Sequence, residues 1–147
     1  MAGIQQQITL DDADVQAAFT RLEDGMRDLS EPNDAIGLAL VSSSQLRFED
    51  QAGPDGTAWA AWSEAHARRR RRKDPSALIL LDLGHLRSSL SYEAGPDSVS
   101  YGSNMVYAAI QQLGGNGIPE RPYLGLDDDD REMITDEYLD WIGELLQ

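Results

Sequence analysis

An uninterrupted block of six cations, residues 68–73 with the sequence RRRRRK, limits where its part of the chain can lie in any fold. Successive residues of an α-helix are rotated by about 100° around the helix axis. In a helix, six consecutive charged side chains therefore cover every side and leave no apolar stripe to bury. The block must project into solvent or lie against anions.

The block stands out because the rest of the chain is acidic. The 147 residues carry 26 acidic and 12 basic side chains, a formal net charge of -14. Residues 1–57 hold 11 acids and 3 bases, residues 116–147 hold 10 and 2, and the middle of the chain, 58–115, holds 5 and 7. Such a distribution repels free nucleic acid at long range except near the block. It favours a partner whose surface carries both signs of charge.

Length and composition predict one soluble domain. A chain of 147 residues with 41% apolar content is long enough for a packed core, and the absence of Cys excludes disulfides and thiolate metal sites. The start of the chain lacks a secretory signal pattern, and no apolar run approaches the roughly 18 residues of a membrane span. We therefore expect an unexported single domain, residues 1–147, with a basic arm at about 63–75.

Apolar residues at helical spacing predict two helices in the first third of the chain. Thr9, followed three positions later by Asp12, is placed to start the first helix, whose apolar pattern continues to Leu29. Residues 30–33 have the composition of a stop and a new start. A second helix is predicted to run from there toward Phe48.

The cation block is predicted to form a third helix. Ser63 is placed to cap its start, and Asp74 should end it because the residue before Pro75 is pushed out of helical geometry. The short apolar run 78–81 then suits a buried strand or an interface segment.

The remaining elements complete an α+β fold. Alternating residues on both sides of a turn at 95–97 predict a β-hairpin, and residues 118–124, with two prolines, should be extended. Ser103 or Asn104 is placed to cap a following helix, and Asp127–Asp130 should open the last one. We predict a mostly helical single domain with one antiparallel β-hairpin and long N- and C-terminal helices. The inner side of the helix after the hairpin is predicted to carry Val106, Ala109, Ile110 and Leu113.

The residue patterns give no sign of catalysis. Asp127–Asp130 invite a magnesium interpretation, but consecutive carboxylates at a helix start fan out around the axis and favour capping instead. His66 and His85 have no neighbouring ligands at metal-binding spacing, and neither a phosphate-binding loop nor a nucleophile elbow is present. We predict that the chain is not an enzyme and uses no cofactor or metal.

The cation block leaves three possibilities open: a solvated arm, a contact with DNA phosphates, or a contact with acidic protein surface. A basic patch and acidic patches on one molecule are complementary but unlike surfaces. They favour head-to-tail contacts between copies, which close into rings when the rotation permits. The candidate binding residues are Arg68, Arg69, Arg70, Arg71, Arg72 and Lys73.

From about residue 48 onward, the order of motifs resembles the virion morphogenesis, or tail completion, family of long-tailed bacteriophages. The resemblance rests on GPDG at 53–56 with Trp59, LLDLGHL at 80–86, YAAIQQLGG at 107–115 and IPERPYLG at 118–125. The sequence departs from the family pattern at Gln111, often His, at Leu113, often aromatic, and in the density of the arginine block.

The resemblance implies a structural protein of the head-tail junction, assembled in the host cytoplasm and located in the virion. It implies a homo-oligomeric ring, with six-fold symmetry preferred over twelve-fold. Its partners would be further copies and other neck, portal and tail proteins, with possible contact to packaged DNA in the channel and none to a membrane. A nucleic-acid-binding protein that uses the arginine block and an acidic inhibitor of a host factor are the alternatives.

Four residues of these motifs are candidates for the contact between subunits: Trp59, Tyr107, Arg121 and Tyr123. Arg121, flanked by prolines on a stiff extended segment, is predicted to bind a carboxylate of the neighbouring subunit. A contact of Arg121 within its own subunit is an equally good interpretation.

Overall fold

The computed structural model describes residues 7–8 and 12–147, and its order of elements confirms the predicted α+β fold. The predicted helix start at Thr9 lies outside the described residues. The elements are α1 (Ala13–Gly25), α2 (Ser30–Asp50), α3 (Glu64–Lys73), α4 (His85–Ser88), β1 (Leu90–Ala94), β2 (Val99–Ser103), α5 (Ala108–Leu113) and α6 (Asp128–Leu145).

Helix α2 is the element against which the others pack. It begins at Ser30 with Pro32 in its first turn, where a missing backbone N–H costs nothing, and it runs for 21 residues. One side carries the buried Ile36, Leu40 and Phe48, and it faces the hairpin and α6. The core of the domain therefore lies between α2, the hairpin and the extended segment after α5.

The hairpin lies directly on α2 because one helix position lacks a side chain. β1 and β2 pair antiparallel, with Tyr92 opposite Tyr101. A Cβ atom at Gly37 would overlap the ring of Tyr92, so only glycine permits this approach. A glycine inside a helix costs about 0.5–1 kcal/mol relative to alanine, and close packing of the tyrosine offsets that cost.

Several local predictions are confirmed. Ser63 caps α3 by accepting a hydrogen bond from the His66 amide, and α3 ends before Asp74. Asp127 caps α6 in a capping box with Asp130, as the acidic cluster at this helix start predicted. None of the helices within the described part of the chain is both long enough and apolar enough to span a membrane.

The prediction of a buried strand at residues 78–81 is wrong. The segment turns, and Leu80 has a positive φ of 61°. The side-chain amide of Gln51 accepts a hydrogen bond from the Ile79 N–H at 2.7 Å and donates one to the Ile79 carbonyl at 3.0 Å. Both backbone groups of Ile79 are therefore satisfied by one side chain instead of by a neighbouring strand.

The predicted start and inner side of α5 are also wrong. α5 begins at Ala108 without a side-chain cap, and the Ser103 hydroxyl contacts Ser89 and the Met105 amide instead. Val106 is 99% and Leu113 is 73% exposed, while the buried member of α5 is Ala108. The helix starts later than predicted and has six residues, so Val106 lies before it and Leu113 is its last residue, while Ile110 is half-buried as predicted.

Arg47 joins three parts of the domain. Its side chain lies in α2, is 5% exposed, and donates hydrogen bonds to the carbonyls of Tyr123 and Gly125 at 3.1 and 2.8 Å. It also pairs with carboxylates at the start of α6, at 3.0 Å to Asp127 and 2.6 Å to Asp130. One guanidinium thus fixes the extended segment and the start of α6 to the central helix.

The electrostatics of this cluster favour the ionised state. Burial is the largest single influence on Arg47 and opposes its charge, but the hydrogen bonds and charges of Asp127 and Asp130 together outweigh it, so the pKa of Arg47 is raised. Burial likewise acts to raise the pKa of Asp127. The backbone amide of Asp130 and the Arg47 guanidinium outweigh it, and the pKa of Asp127 is lowered.

Replacing Arg47 with Met should leave Asp130 buried without its cation. We expect the free energy of unfolding to fall by about 3–5 kcal/mol, measured from the urea midpoint at constant m-value. Arg131→Met removes an exposed arginine of α6, makes the same change in net charge, and should cost less than about 0.5 kcal/mol. Similar small losses in both variants would contradict the anchoring role of Arg47.

Asp127 should make stability depend on pH in the acid range. Its pKa is below 3.8 in the folded protein and rises to its ordinary value on unfolding, so the unfolded chain binds more protons as the pH falls. We expect the stability difference between wild type and Asp127→Asn to be constant above about pH 5 and to shrink as the pH falls through this range. Urea unfolding at a series of pH values measures it.

Asp129→Asn is the control, because it removes one negative charge from the same turn. The Asp129 side chain has no hydrogen bond or ion pair with any residue of the described ranges. A difference between wild type and Asp127→Asn that persists unchanged into acid would contradict the role given to the Asp127 carboxylate.

Candidate assembly site

The cation block forms helix α3 because its flanks supply both ends. Ser63 satisfies an amide at the start, and Glu64 places a negative charge at the positive end of the helix dipole. Arg70 to Lys73 occupy the last turn, where positive charge is favoured. Asp74 then accepts hydrogen bonds from the Ser76 amide and hydroxyl at 2.9 and 2.7 Å, which fixes the turn that follows.

One arginine of the block anchors α3 to the domain. Arg70 pairs with Asp82 at 2.6 Å, and its side chain is 24% exposed. Its guanidinium also lies 6.0 Å from the centre of the Trp62 ring, the distance of a weak cation–π contact. The His66 ring contacts the same tryptophan, with ring centres 5.4 Å apart. The inner side of α3 is therefore an Arg70–His66–Trp62 stack.

The other five cations of the block are exposed, as expected of a segment with no apolar side. Arg68 lies 3.8 Å from Glu64, an exposed pair that contributes little stability, and Arg69 contacts His66 at 3.2 Å. Arg71, Arg72 and Lys73 make no ion pair with any residue of the described ranges. We name Arg71, Arg72 and Lys73 the free cations.

A groove of about 440 Å³ lies beside α3. Apolar and aromatic side chains form much of its wall, while Arg70, Asp82 and Gln111 supply polar groups. Leu83, on its rim, is 76% exposed. The large apolar and aromatic side chains that line the groove include Trp62, Leu78, Leu83 and Tyr107.

Helix α6 carries the opposite charge. It has eight acidic residues and one arginine, and it packs on α1 and α2. Asp136, Asp140 and Glu144 recur every four residues, are exposed, and make no ion pair with other described residues. We name these three the acidic row. No ion pair within residues 12–147 joins α3 to α6, so the two charged helices do not neutralise each other in one chain.

Of the four residues predicted to form subunit contacts, three are buried in the structure and one is exposed. Trp59, Arg121 and Tyr123 are 6%, 6% and 1% exposed, so these side chains belong to the interior of their own chain. Trp59 meets the Phe48 ring edge-to-face at 5.3 Å and donates a hydrogen bond to the Pro122 carbonyl at 2.8 Å. Of the four predicted contacts, Tyr107 retains an exposed side chain, at 38%.

Arg121 takes the internal role that the sequence left open. Its guanidinium donates hydrogen bonds to the carbonyls of Ala60 and Ala61, at 2.8 and 3.5 Å, and burial lowers its pKa. The carboxylate partner predicted for it in a neighbouring subunit is replaced by backbone carbonyls. These bonds tie the extended segment to the chain just before α3.

No three His, Asp or Glu side chains of residues 7–8 and 12–147 come together as a metal site. Asp127 and Asp130 already bind Arg47 and cap α6, so their oxygens are committed.

Comparison with known proteins identifies the family of the chain. The phage virion morphogenesis family matches residues 10–143 of the chain. A protein of Escherichia phage Mu, named "Putative capsid assembly protein G", is 34% identical over 144 residues, which cover 90% of this chain and 91% of the Mu protein. No solved structure matches. A family match over nearly the whole chain, together with a full-length relative, shows that this protein belongs to the phage virion morphogenesis family.

Proposed function

We propose that this protein is a structural component of the junction between the phage head and the phage tail. Its copies join through unlike surfaces into a ring, which completes the tail and helps to attach it to the head. The proposed role is not enzymatic and needs no cofactor. Family membership and the name of the Mu relative, an assembly protein, support a role in building the particle.

The observation that carries the proposal is the separation of opposite charges on one chain. α3 bears six cations and one acid, and α6 bears eight acids and one arginine. The free cations and the acidic row are exposed and lack ion pairs among the described residues. Each surface is therefore available to a second copy that presents the other.

Unlike surfaces determine the kind of assembly. A contact between α3 of one copy and α6 of the next is heterologous, because the two patches differ. Repetition of such a contact gives a closed ring if the rotation between copies divides a full turn, and an open filament otherwise. A six-fold ring is our preferred form, with twelve-fold as the alternative.

A charge-swap experiment tests the contact. In one variant the free cations Arg71, Arg72 and Lys73 become Glu, and in a second the acidic row becomes Lys. Each variant alone brings like charges together at every contact and should stay monomeric at low salt. An equimolar mixture should assemble, because alternating subunits then make every contact between opposite charges. Sedimentation velocity measures the outcome.

The matched control moves the same number of charges elsewhere. Glu93→Lys, Asp97→Lys and Glu120→Lys alter three acids outside α3 and α6, and the resulting protein should assemble like wild type. Assembly that is the same for wild type and both swapped variants would overturn the α3–α6 contact. Dissociation of the wild-type assembly in high salt is a further expectation, since exposed charge pairs are screened.

The proposed location can be tested in infected cells. Lysates of phage that lack this gene should contain filled heads and finished-length tails as separate particles in electron micrographs. Intact virions in these lysates would exclude a necessary role at the junction. Empty or malformed heads alone would assign the protein to capsid formation instead.

The exposed cations of α3 also favour a second candidate, contact with DNA phosphates. This candidate predicts that isolated subunits bind duplex DNA with an affinity that falls steeply with salt, and that the Glu variant of the free cations loses it. A protein that assembles through α3 should instead prefer other copies of itself to DNA, because acidic side chains of the neighbouring copy then cover the cations. The acidic host-factor inhibitor would remain monomeric and bind a host protein.

A further inference from the structure

Helix α1 exposes a row of large apolar side chains. Val15 and Phe19 of α1, and Met26 directly after its end, are 54%, 66% and 45% exposed. Their spacing of four and seven residues places them on one side of the helix. α1 has no buried residue, so the row is not the edge of a larger buried side.

α1 is held to the domain through α6. The Gly25 backbone lies against the side chain of Leu145, and Arg21 donates a hydrogen bond to the Leu145 carbonyl at 3.1 Å. An isolated helix of 13 residues is marginal in water. Three exposed apolar side chains on a helix with so few internal contacts indicate that a further surface covers them.

The groove beside α3 offers apolar side chains to this row and positive charge beside them. It offers about 440 Å³ between Trp62, Leu78 and Tyr107, within the size range of pockets that bind apolar groups. The exposed cations of α3 stand beside it. Asp12 and Asp14 are exposed at the start of α1, next to Val15, so an incoming α1 would bring negative charge toward the arginines.

We propose that the apolar row of α1 in one copy docks in the groove beside α3 of the next copy. Because α1 packs on α6, the apolar row and the acidic row lie on neighbouring helices, while residues of α3 line part of the groove. Docking therefore buries Phe19 against Leu83 and Tyr107 while the charged helices meet alongside. The inference rests on the proposed head-to-tail ring and specifies which surfaces form its contact.

The absence of Cys in the chain allows a direct test by crosslinking. Phe19→Cys protein is mixed with Leu83→Cys protein labelled with ¹⁵N, at low salt, and treated with a short bis-maleimide. Mass spectrometry should identify a peptide pair joining position 19 of one copy to position 83 of another, and the product should be lost in high salt. Leu38→Cys, at a residue of α2 with a similar exposure of 59%, is the matched control and should give no product with position 83.

A second variant measures what the row contributes. Phe19→Ser should weaken association by about tenfold or more in sedimentation equilibrium, since an apolar side chain is no longer buried. Leu38→Ser should leave association unchanged. Both side chains are largely exposed in the single chain, so circular dichroism should show that both variants fold.

The outcomes separate this inference from the proposed ring. A wild-type assembly that follows the charge-swap rule but gives no 19–83 product, or that is unaffected by Phe19→Ser, overturns the docking of α1 and leaves the ring in place. A protein that remains monomeric at all salt concentrations overturns both. A 19–83 product with weakened association of Phe19→Ser supports the inference.

Discussion

The buried guanidinium of Arg47 is the interaction on which the arrangement of the domain depends. It contacts the carbonyls of the 121–127 segment and the two carboxylates that open α6. Buried charges are costly unless each is paired and hydrogen-bonded, and here both requirements are met by groups of one continuous stretch, residues 123–130. One side chain therefore fixes the start of the acidic helix to the core.

The position of α6 determines which of its acidic side chains are exposed. The acids of α6 number eight, but only those that point away from α2 are available to a partner. In the middle of the sequence, the Arg70–Asp82 pair fixes α3 to the domain and leaves the side chains of Arg71, Arg72 and Lys73 exposed to solvent. Asp130 of α6 and Arg70 of α3 are used for folding, and the remaining exposed charge of each helix is available to a partner. A family of virion morphogenesis proteins is a natural setting for such a division of roles.

Much of the fold was predictable because its signals are local. Ser63, the turn before β2 and the capping cluster at Asp127 act through neighbours a few residues away, and all three predictions are confirmed. The errors came from contacts between distant residues. The Gln51 side chain forms hydrogen bonds with the backbone of Ile79, 28 residues away in the sequence. A pattern of apolar residues does not reveal such a contact.

The candidate site was predictable in part. The cation block was visible as composition, whereas the anchoring role of Arg70 required knowledge of Asp82 and Trp62. Arg121 and Trp59 were named as candidates for subunit contacts because motif residues in an assembly family suggest such contacts, and an internal role was left equally open for Arg121. Their burial shows that the motif also builds the core. Arg47 was missed, although it is the single cation in a helix that carries four acidic residues, which was a usable signal.

The two helices that carry this architecture are fastened to each other at two points. Arg47 holds Asp130, and Asn33, near the other end of α2, accepts a hydrogen bond from Tyr138 at 2.6 Å. The fastenings are 14 residues apart on α2, about 20 Å of helix. A torque applied to α6 cannot turn it about a single pivot without breaking a buried contact. A force on α6 is therefore transmitted to α2 at two separated contacts, so we expect the two helices to move together as one rigid unit.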